Sequence, residues 1–281
     1  MKHQEKASFI AVILFIGAIG YLYWDTVYEM VMDWYNDENY SHGFLIPVIS
    51  GYLLWQRKDS LKDISSASSF LGIFIVLSGL CVYLLGKLSG EYFTMRFSML
   101  IVFAGAILYI YGIDFFRSIA FPFVYLVFMI PLPYLIYDAV AFPLKMLVSK
   151  FSVDFLGIIG VLVLREGNII HLADTTLEVA DACSGIRSIV SLLALSTALA
   201  YLTQTGVIRR VFLSVLAVPI AIVVNSLRVI GTGVLANKYG SQVADSFYHE
   251  FAGLLIFGIA IVVLILSAVI LAKFNKNSTG V

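Results

Sequence analysis

The sequence predicts an all-α protein that crosses a membrane several times. Hydrophobic residues make up 60% of the 281 residues and charged residues only 13%, whereas about a quarter of residues are charged in an average globular chain. The mean hydropathy is +0.95. Helices and closed barrels satisfy the backbone inside a bilayer, and no part of this chain alternates in hydrophobicity as barrel strands do. A polytopic helical membrane protein follows.

The apolar runs predict about eight transmembrane helices in a single domain covering residues 1–281. A span needs about 20 mostly apolar residues. The charged N-terminus and the apolar run behind it indicate an uncleaved first span, because no small-residue cleavage site follows. The predicted spans lie near residues 8–24, 43–56, 70–88, 97–113, 117–137, 186–204, 208–234 and 251–273.

The charges of the short loops predict that both termini are cytoplasmic and that the membrane is the cell inner membrane. Lys and Arg are enriched in cytoplasmic loops. Here they follow the second span, precede the seventh and occupy the tail, whereas the loop 25–40 has five acidic residues and no basic ones. Lys87 and Arg96 fall on the outer side and disagree with this topology.

Two segments between the fifth and sixth spans are predicted to lie outside the bilayer core. Residues 134–160 carry charges at helical spacing among apolar residues, which is typical of an amphipathic helix at the interface. If this helix crosses the membrane instead, everything after it changes sides. Glu166-Gly167-Asn168 is a turn signal between alternating β-branched runs, so a small hairpin is expected on the outer surface.

Composition and cysteine count exclude several functions. The formal net charge is zero, so no basic field attracts nucleic acid. Two cysteines exclude a disulfide scaffold and a multi-cysteine metal site. His42, His171 and His249 lack metal-ligand spacing. No metal and no cofactor are predicted.

Cys183 is a candidate nucleophile. It lies in Asp181-Ala182-Cys183-Ser184-Gly185-Ile186-Arg187, where the outer hairpin meets the sixth span. A thiolate is favoured at a helix N-terminus, and Arg187 is one turn away to support it. The alternative is a buried structural cysteine, because cysteine packs as a small hydrophobe. Cys81, in mid-span, is interpreted as packing.

Asn225 and Arg228 are candidate binding or catalytic residues near the outer end of the seventh span. They are three positions apart and therefore share a helix face. An arginine at this depth needs a partner or a polar cavity. The alternative is that its side chain snorkels to the headgroups.

Two histidines complete the predicted outer face. His249 and Glu250 precede the last span, and His42 lies in Tyr40-Ser41-His42-Gly43 at the mouth of the second. Histidine can take and return a proton near neutral pH. Cysteine and histidine together perform acyl transfer when a donor stabilises the oxyanion, although the sequence does not place these groups in contact.

The chain resembles the exosortase/archaeosortase family. The resemblance covers nearly the whole chain and is carried by motifs in the family's order: Tyr40-Ser41-His42-Gly43-Phe44-Leu45-Ile46-Pro47, Ile130-Pro131-Leu132-Pro133, Arg165-Glu166-Gly167-Asn168, Ala182-Cys183-Ser184-Gly185-Ile186-Arg187-Ser188, Asn225-Ser226-Leu227-Arg228-Val229 and His249-Glu250-Phe251-Ala252-Gly253. The stretch around Cys183 is the most specific.

The resemblance implies a membrane cysteine transpeptidase or protease whose active site faces the periplasm. Its catalytic residues would be Cys183, Arg228 and His249, supported by His42, Arg187, Asn225 and Glu250. Its partners would be membrane lipid and exported proteins that end in a Pro-Glu-Pro type motif, a transmembrane helix and a basic cluster. A functional link to exopolysaccharide machinery is also implied.

Two other functions stay open at this point. In a transporter, Asn225 and Arg228 would line a substrate pathway, although the chain shows no internal repeat of the kind common in transporters. A non-catalytic assembly factor for exopolysaccharide export would need no reactive cysteine. A serine intramembrane protease lacks support, because no Gly-x-Ser-x-Gly motif is present.

Overall fold

The computed structural model describes residues 2–64, 67–173, 175–179, 186–240 and 247–278, and within these it leaves out the side chains of 2–13, 16, 247–252 and 274–278. Two compact units, Met1–Pro133 and Tyr134–Val281, are each described by themselves. The first contains α1 (Lys2–Asn36), α2 (Leu45–Gln56), α3 (Lys58–Lys62), α4 (Leu71–Ser89) and α5 (Tyr92–Tyr125), with 3-10 helices at Glu38–Phe44 and Leu126–Met129. The second contains α6 (Tyr134–Ile158), β1 (Val163–Glu166), β2 (Ile169–Leu172), β3 (Thr176–Glu178), α7 (Ile186–Thr203), α8 (Val207–Tyr239) and α9 (Phe247–Ser278).

Helices α4 and α5 pack closely because glycines line their contact. A β-carbon on Gly105 would come within 2.6 Å of the backbone nitrogen of Val76, and one on Gly79 within 2.7 Å of the Val102 side chain. Small residues let helix backbones approach in a membrane, where packing rather than hydrophobicity drives association. A larger residue at either glycine would force the two helices apart.

An ion pair explains why Arg96 disagreed with the predicted topology. Its guanidinium lies 2.7 Å from the Asp33 carboxylate, with the Arg96 side chain only 5% exposed. The pair joins α5 to the end of α1. Arg96 is therefore a paired interior charge rather than a free loop charge of the kind that the positive-inside rule counts.

The predicted spans 97–113 and 117–137 form one helical run with a break. Gly112 has φ 84° and ψ 179° inside α5, a conformation that L side chains rarely adopt. The predicted end at 137 is wrong, because Ile130 leaves the helical conformation with ψ 118° and α6 begins at Tyr134. The prolines at 131 and 133 account for this, since proline lacks the N–H that a helix interior needs.

Side-chain hydrogen bonds to carbonyls hold α2 and the end of α1 against the end of α5 and the 3-10 helix that follows it. The Ser50 hydroxyl donates to the Pro122 carbonyl at 2.8 Å, and the Arg57 guanidinium donates to the Ser118 carbonyl at 2.6 Å. Farther along, Trp34 Nε1 donates to the Met129 carbonyl at 2.8 Å. Pro122 has no N–H, and the 3-10 turn interrupts the regular helix. These carbonyls therefore accept hydrogen bonds from side chains instead of from helix N–H groups.

The predicted fold class is confirmed: the protein is an all-α polytopic membrane protein. Within the described residues, five helices are long and apolar enough to cross a membrane: Leu71–Ser89, Tyr92–Met129, Ile186–Thr203, Val207–Tyr239 and Gly253–Lys273. The second predicted span corresponds to α2, whose 12 residues are fewer than the roughly 20 that a straight crossing needs. The number eight stays a prediction.

Helix α6 coincides with the predicted amphipathic helix. Its buried residues Tyr137, Ala141, Val148, Ser152 and Leu156 form one stripe, and the side chain of Leu156 packs against Gly233 of α8. The remaining surface mixes exposed phenylalanines with Asp138, Lys150 and Asp154. This surface suits the bilayer interface, where the position of the helix stays a prediction.

The predicted hairpin is present and has a third strand. Strands β1 and β2 pair antiparallel with Glu166 opposite Ile169, and β3 adds to β2 with Leu177 opposite Ile170. Ile170 is completely buried and packs in a cluster with Val148 of α6 and Val229 of α8. The sheet is therefore fixed to the part of α8 that follows Arg228.

Candidate active site

A small cavity lies between α7, α8 and α9. Its volume of about 20 Å³ is room for one water-sized group. Ser188 of α7 and Asn225 and Arg228 of α8 provide its polar lining. The apolar lining comes from all three helices and includes Leu192, Val224 and Phe257. The cavity thus offers polar groups to one small atom or group inside an otherwise apolar helix bundle.

Asn225 and Arg228 both line this cavity. They lie one turn apart on α8, and Asn225 is only 3% exposed. Arg228 also contacts α9: a β-carbon on Gly253 would come within 3.4 Å of the guanidinium carbon. Glycine at this position lets the guanidinium lie directly against the backbone of α9.

The length of α8 places Arg228 far from the basic end of the same helix. Arg210 and Arg228 are 18 positions apart within α8, which is about 27 Å at 1.5 Å per residue. A hydrocarbon core is about 30 Å thick. The two arginines are therefore spaced to occupy opposite faces of a membrane, and the sheet lies at the Arg228 end.

Cys183 lies outside the described residues, but chain connectivity limits its distance from the cavity. Helix α7 begins at Ile186, three positions later. Three extended residues span at most about 11 Å. The cysteine is thus tethered to the first turn of the helix whose Ser188 lines the cavity.

His249 and Glu250 belong to the first turn of α9, and their side chains are outside the description. Residues four apart share one face of a helix. His249 therefore occupies the same face as Gly253, one turn before the glycine that contacts Arg228.

Two other predicted residues, Arg187 and His42, are not among the cavity-lining residues. Arg187 lies in the first turn of α7. His42 lies in the 3-10 helix of the first unit and is partly buried. Burial lowers the pKa of His42, more than the backbone carbonyls of Phe128 and Asn39 raise it. Its neutral ring is therefore favoured.

His171 faces an acidic residue of its own sheet. Its Nε2 lies 3.3 Å from the carboxylate of Glu166, and the Glu166 side chain is 81% exposed. Within the described ranges, no three His, Cys, Asp or Glu side chains come together as metal ligands would. The pair is interpreted as a surface contact of the sheet.

Ser188 was not predicted as a cavity residue, and Gly253 was expected only to permit close helix approach. Ser188 stood inside a recognised motif, yet nothing in its type separates it from the many serines that simply bond the backbone of their own helix. Gly253 carried a usable signal: it follows His249 by four residues, so both lie on one face. The contact between Gly253 and Arg228 depends on helix packing, which no local pattern predicts.

The sequence pattern of one known family, described as transmembrane exosortase, matches residues 34–266. No curated protein and no solved structure gives a significant match. The matched range includes Cys183, Arg228 and His249, both cavity-lining parts of α7 and α8, and the start of α9. Because the match covers most of the chain, the protein belongs to the transmembrane exosortase family.

Proposed function

We propose that this protein is a cysteine transpeptidase or protease that processes the C-terminal sorting signal of exported proteins. The observation that carries the proposal is the cavity that holds Arg228. The helix that begins three positions after Cys183 lines it. The helix that carries His249 contacts its arginine through Gly253. Helices α7, α8 and α9 thus line one cavity; Cys183 precedes the first of them, and Arg228 and His249 lie in the other two.

The proposed reaction begins with the Cys183 thiolate. Its sulfur attacks the carbonyl carbon of the scissile peptide bond, and the carbonyl oxygen becomes an oxyanion. Position favours the thiolate, because the N-terminus of α7 and its partial positive charge lie close by. A thioester forms when the carbon–nitrogen bond breaks.

Arg228 stabilises the oxyanion, and His249 exchanges protons with the leaving amine and the incoming nucleophile. The Arg228 guanidinium donates hydrogen bonds to the oxyanion, where a charged donor is stronger than a neutral one. His249 gives a proton to the leaving amine and then takes one from the incoming nucleophile. An amine or water attacks the thioester, the carbon–sulfur bond breaks, and the thiolate is restored.

The substrate and the location follow from the same proposal. The substrates are exported proteins with a Pro-Glu-Pro type motif, a transmembrane helix and a basic tail. Both termini of the enzyme are cytoplasmic and the cavity faces the periplasm. The separation of Arg210 from Arg228 by about one membrane thickness supports this orientation, because Arg209 and Arg210 then lie on the cytoplasmic side, as basic residues usually do. His42, Arg187 and Glu250 act as supporting residues.

The test uses a tagged exported reporter that ends in such a signal. It is co-expressed with the wild-type enzyme or with Cys183→Ala, Arg228→Ala or His249→Ala, and precursor size is followed on a gel. Cys81→Ala is the matched control, since Cys81 lies within α4 and is not among the cavity-lining residues. We expect processing in the wild type and in Cys81→Ala, and none in Cys183→Ala at equal expression.

Unchanged processing in Cys183→Ala would refute the catalytic cysteine. A normal export phenotype for that variant would instead favour a transporter or a non-catalytic assembly factor for exopolysaccharide export. A wild-type enzyme that processes no reporter across a panel of sorting signals would also count against the proposal.

A further inference from the structure

The cavity beside Arg228 has the size of a single oxygen rather than of a side chain. About 20 Å³ accommodates one water-sized group. A substrate carbonyl oxygen is a group of this size.

The polar lining of this cavity consists of side chains that can donate hydrogen bonds. Ser188 has a hydroxyl, Asn225 an amide NH₂ and Arg228 a guanidinium. Among the lining residues there is no Asp or Glu. The remaining lining is apolar, so water does not screen these dipoles and they act strongly on a charge placed between them. Such a site favours an oxygen that carries negative charge.

The donors also come from two different helices. Ser188 is in the first turn of α7, close along the chain to Cys183, whereas Asn225 and Arg228 lie one turn apart on α8. An oxygen held between these helices is fixed in direction as well as in distance. Donors fixed before the reaction stabilise an oxyanion without reorganising.

We infer that Ser188 and Asn225 bind the same substrate carbonyl oxygen as Arg228, so that the oxyanion site has three side-chain donors. The inference rests on the proposed function. When the Cys183 sulfur bonds to the carbonyl carbon, the carbon–oxygen double bond gives its electron pair to this oxygen. The Ser188 hydroxyl and the Asn225 amide then each donate a hydrogen bond to it. In the free enzyme a water occupies the same place.

The test measures reporter processing by purified enzyme in lipid vesicles over a range of reporter concentrations. For Ser188→Ala we expect kcat to fall about 10–100-fold, less than the 10²–10³-fold typical of the main oxyanion donor, with KM changed little. Ser188→Thr keeps the hydroxyl and should restore most of kcat. Ser196→Ala is the control on α7: Ser196 is fully buried, its hydroxyl donates to the Leu193 and Ser214 carbonyls, and it does not line the cavity.

Asn225 is tested by Asn225→Asp, which keeps the shape and replaces a donor by an acceptor. We expect its kcat to fall below that of Asn225→Ala, because a carboxylate repels the oxyanion and pairs with Arg228. Melting temperatures of all variants in detergent separate lost chemistry from lost folding. If Ser188→Ala fails to fold, the pair Asn225→Asp and Asn225→Ala decides alone.

Different results would refute the proposed function and the three-donor oxyanion site. A wild type without activity, or an active Cys183→Ala, removes the proposed function and this inference with it. An active, Cys183-dependent wild type in which Ser188→Ala and Asn225→Asp match the kcat of Ser196→Ala overturns the inference only. The cavity would then hold a structural water with no part in the reaction.

Discussion

The guanidinium of Arg228 lies against the backbone of Gly253, so close that a β-carbon on the glycine would come within 3.4 Å of the guanidinium carbon and of one terminal nitrogen. This contact joins α8 to α9 at the cavity. It also leaves room for no more than about a methyl group between the guanidinium and the neighbouring helix.

Substitutions at Gly253 should therefore lower activity in order of size. Gly253→Ala places an ordinary van der Waals contact on the guanidinium, and we expect activity within a few-fold of wild type. Gly253→Val adds branches that displace the guanidinium, and a shift of about 1 Å can cost about 100-fold. Reporter processing measures both, and Gly258→Val on the open face of α9 is the control. Equal activity in all three variants would contradict the positioning role.

Arg228→Lys should be nearly as inactive as Arg228→Ala. Lysine keeps the charge but loses the planar fork of donors, so it cannot fill the same site. The expected loss in kcat is about 10²–10³-fold, with the melting temperature little changed. Arg209→Lys, at the other end of α8, is the matched control. Substantial activity in Arg228→Lys would show that charge alone suffices.

The packing of α6 on α8 depends on the pair Leu156 and Gly233. A β-carbon on Gly233 would lie 2.9 Å from a terminal carbon of Leu156, which is completely buried. Leu156→Ala should destabilise the protein by about 2–5 kcal/mol, and Gly233→Ala by a smaller amount. The double variant should be more stable than the sum of the two losses predicts, because the new methyl group enters the space that Leu156 leaves. Unfolding of the three variants in mixed micelles checks this coupling, and simple additivity would contradict it.

The pH dependence of stability should contain a component from His42. Its pKa lies below the usual value of 6.5, so the unfolded chain binds more protons below that pH. The neutral ring of His42 therefore causes no loss of stability above about pH 6.5, and stability decreases as the pH falls below that value. His42→Gln should remove this component, which melting temperatures between about pH 7.5 and pH 5.5 would reveal. A variant with the same pH slope as the wild type would exclude His42 as its source.

The sequence predicted those parts of the fold that depend on local periodicity. Long apolar runs identified α4, α7, α8 and the described part of α9, and the Glu166-Gly167-Asn168 turn identified the β1–β2 hairpin. The third strand was missed because its three residues are too short to show a period. The break between the two predicted spans inside α5 lies at Gly112, and the sequence alone does not distinguish this glycine from those that pack inside α4 and α5.

The candidate site was predictable where polar residues stand out against apolar ones. Asn225 and Arg228 were found in this way, because a polar pair within a span is costly unless it has a function. Ser188 was not, and Gly253 was expected only to permit close helix approach, since serine and glycine are common in membrane helices and their contacts depend on the neighbouring helix. The approach of Cys183 to this cavity stays a prediction, because the cysteine lies outside the described residues.

Arg210 and Arg228 lie on one helix, α8, so their spacing can be compared directly with the thickness of a membrane. Both arginines favour the polar boundary of a membrane. Pro219 lies between them and removes one backbone hydrogen bond, while the other bonds keep their separation near 27 Å. A bilayer with longer acyl chains must therefore thin around the helix or draw one arginine inward, whereas one with shorter chains tilts the helix. Since Arg228 lines the cavity, we expect membrane thickness to change the rate of the reaction. Processing in vesicles should be fastest at the acyl-chain length that matches this span.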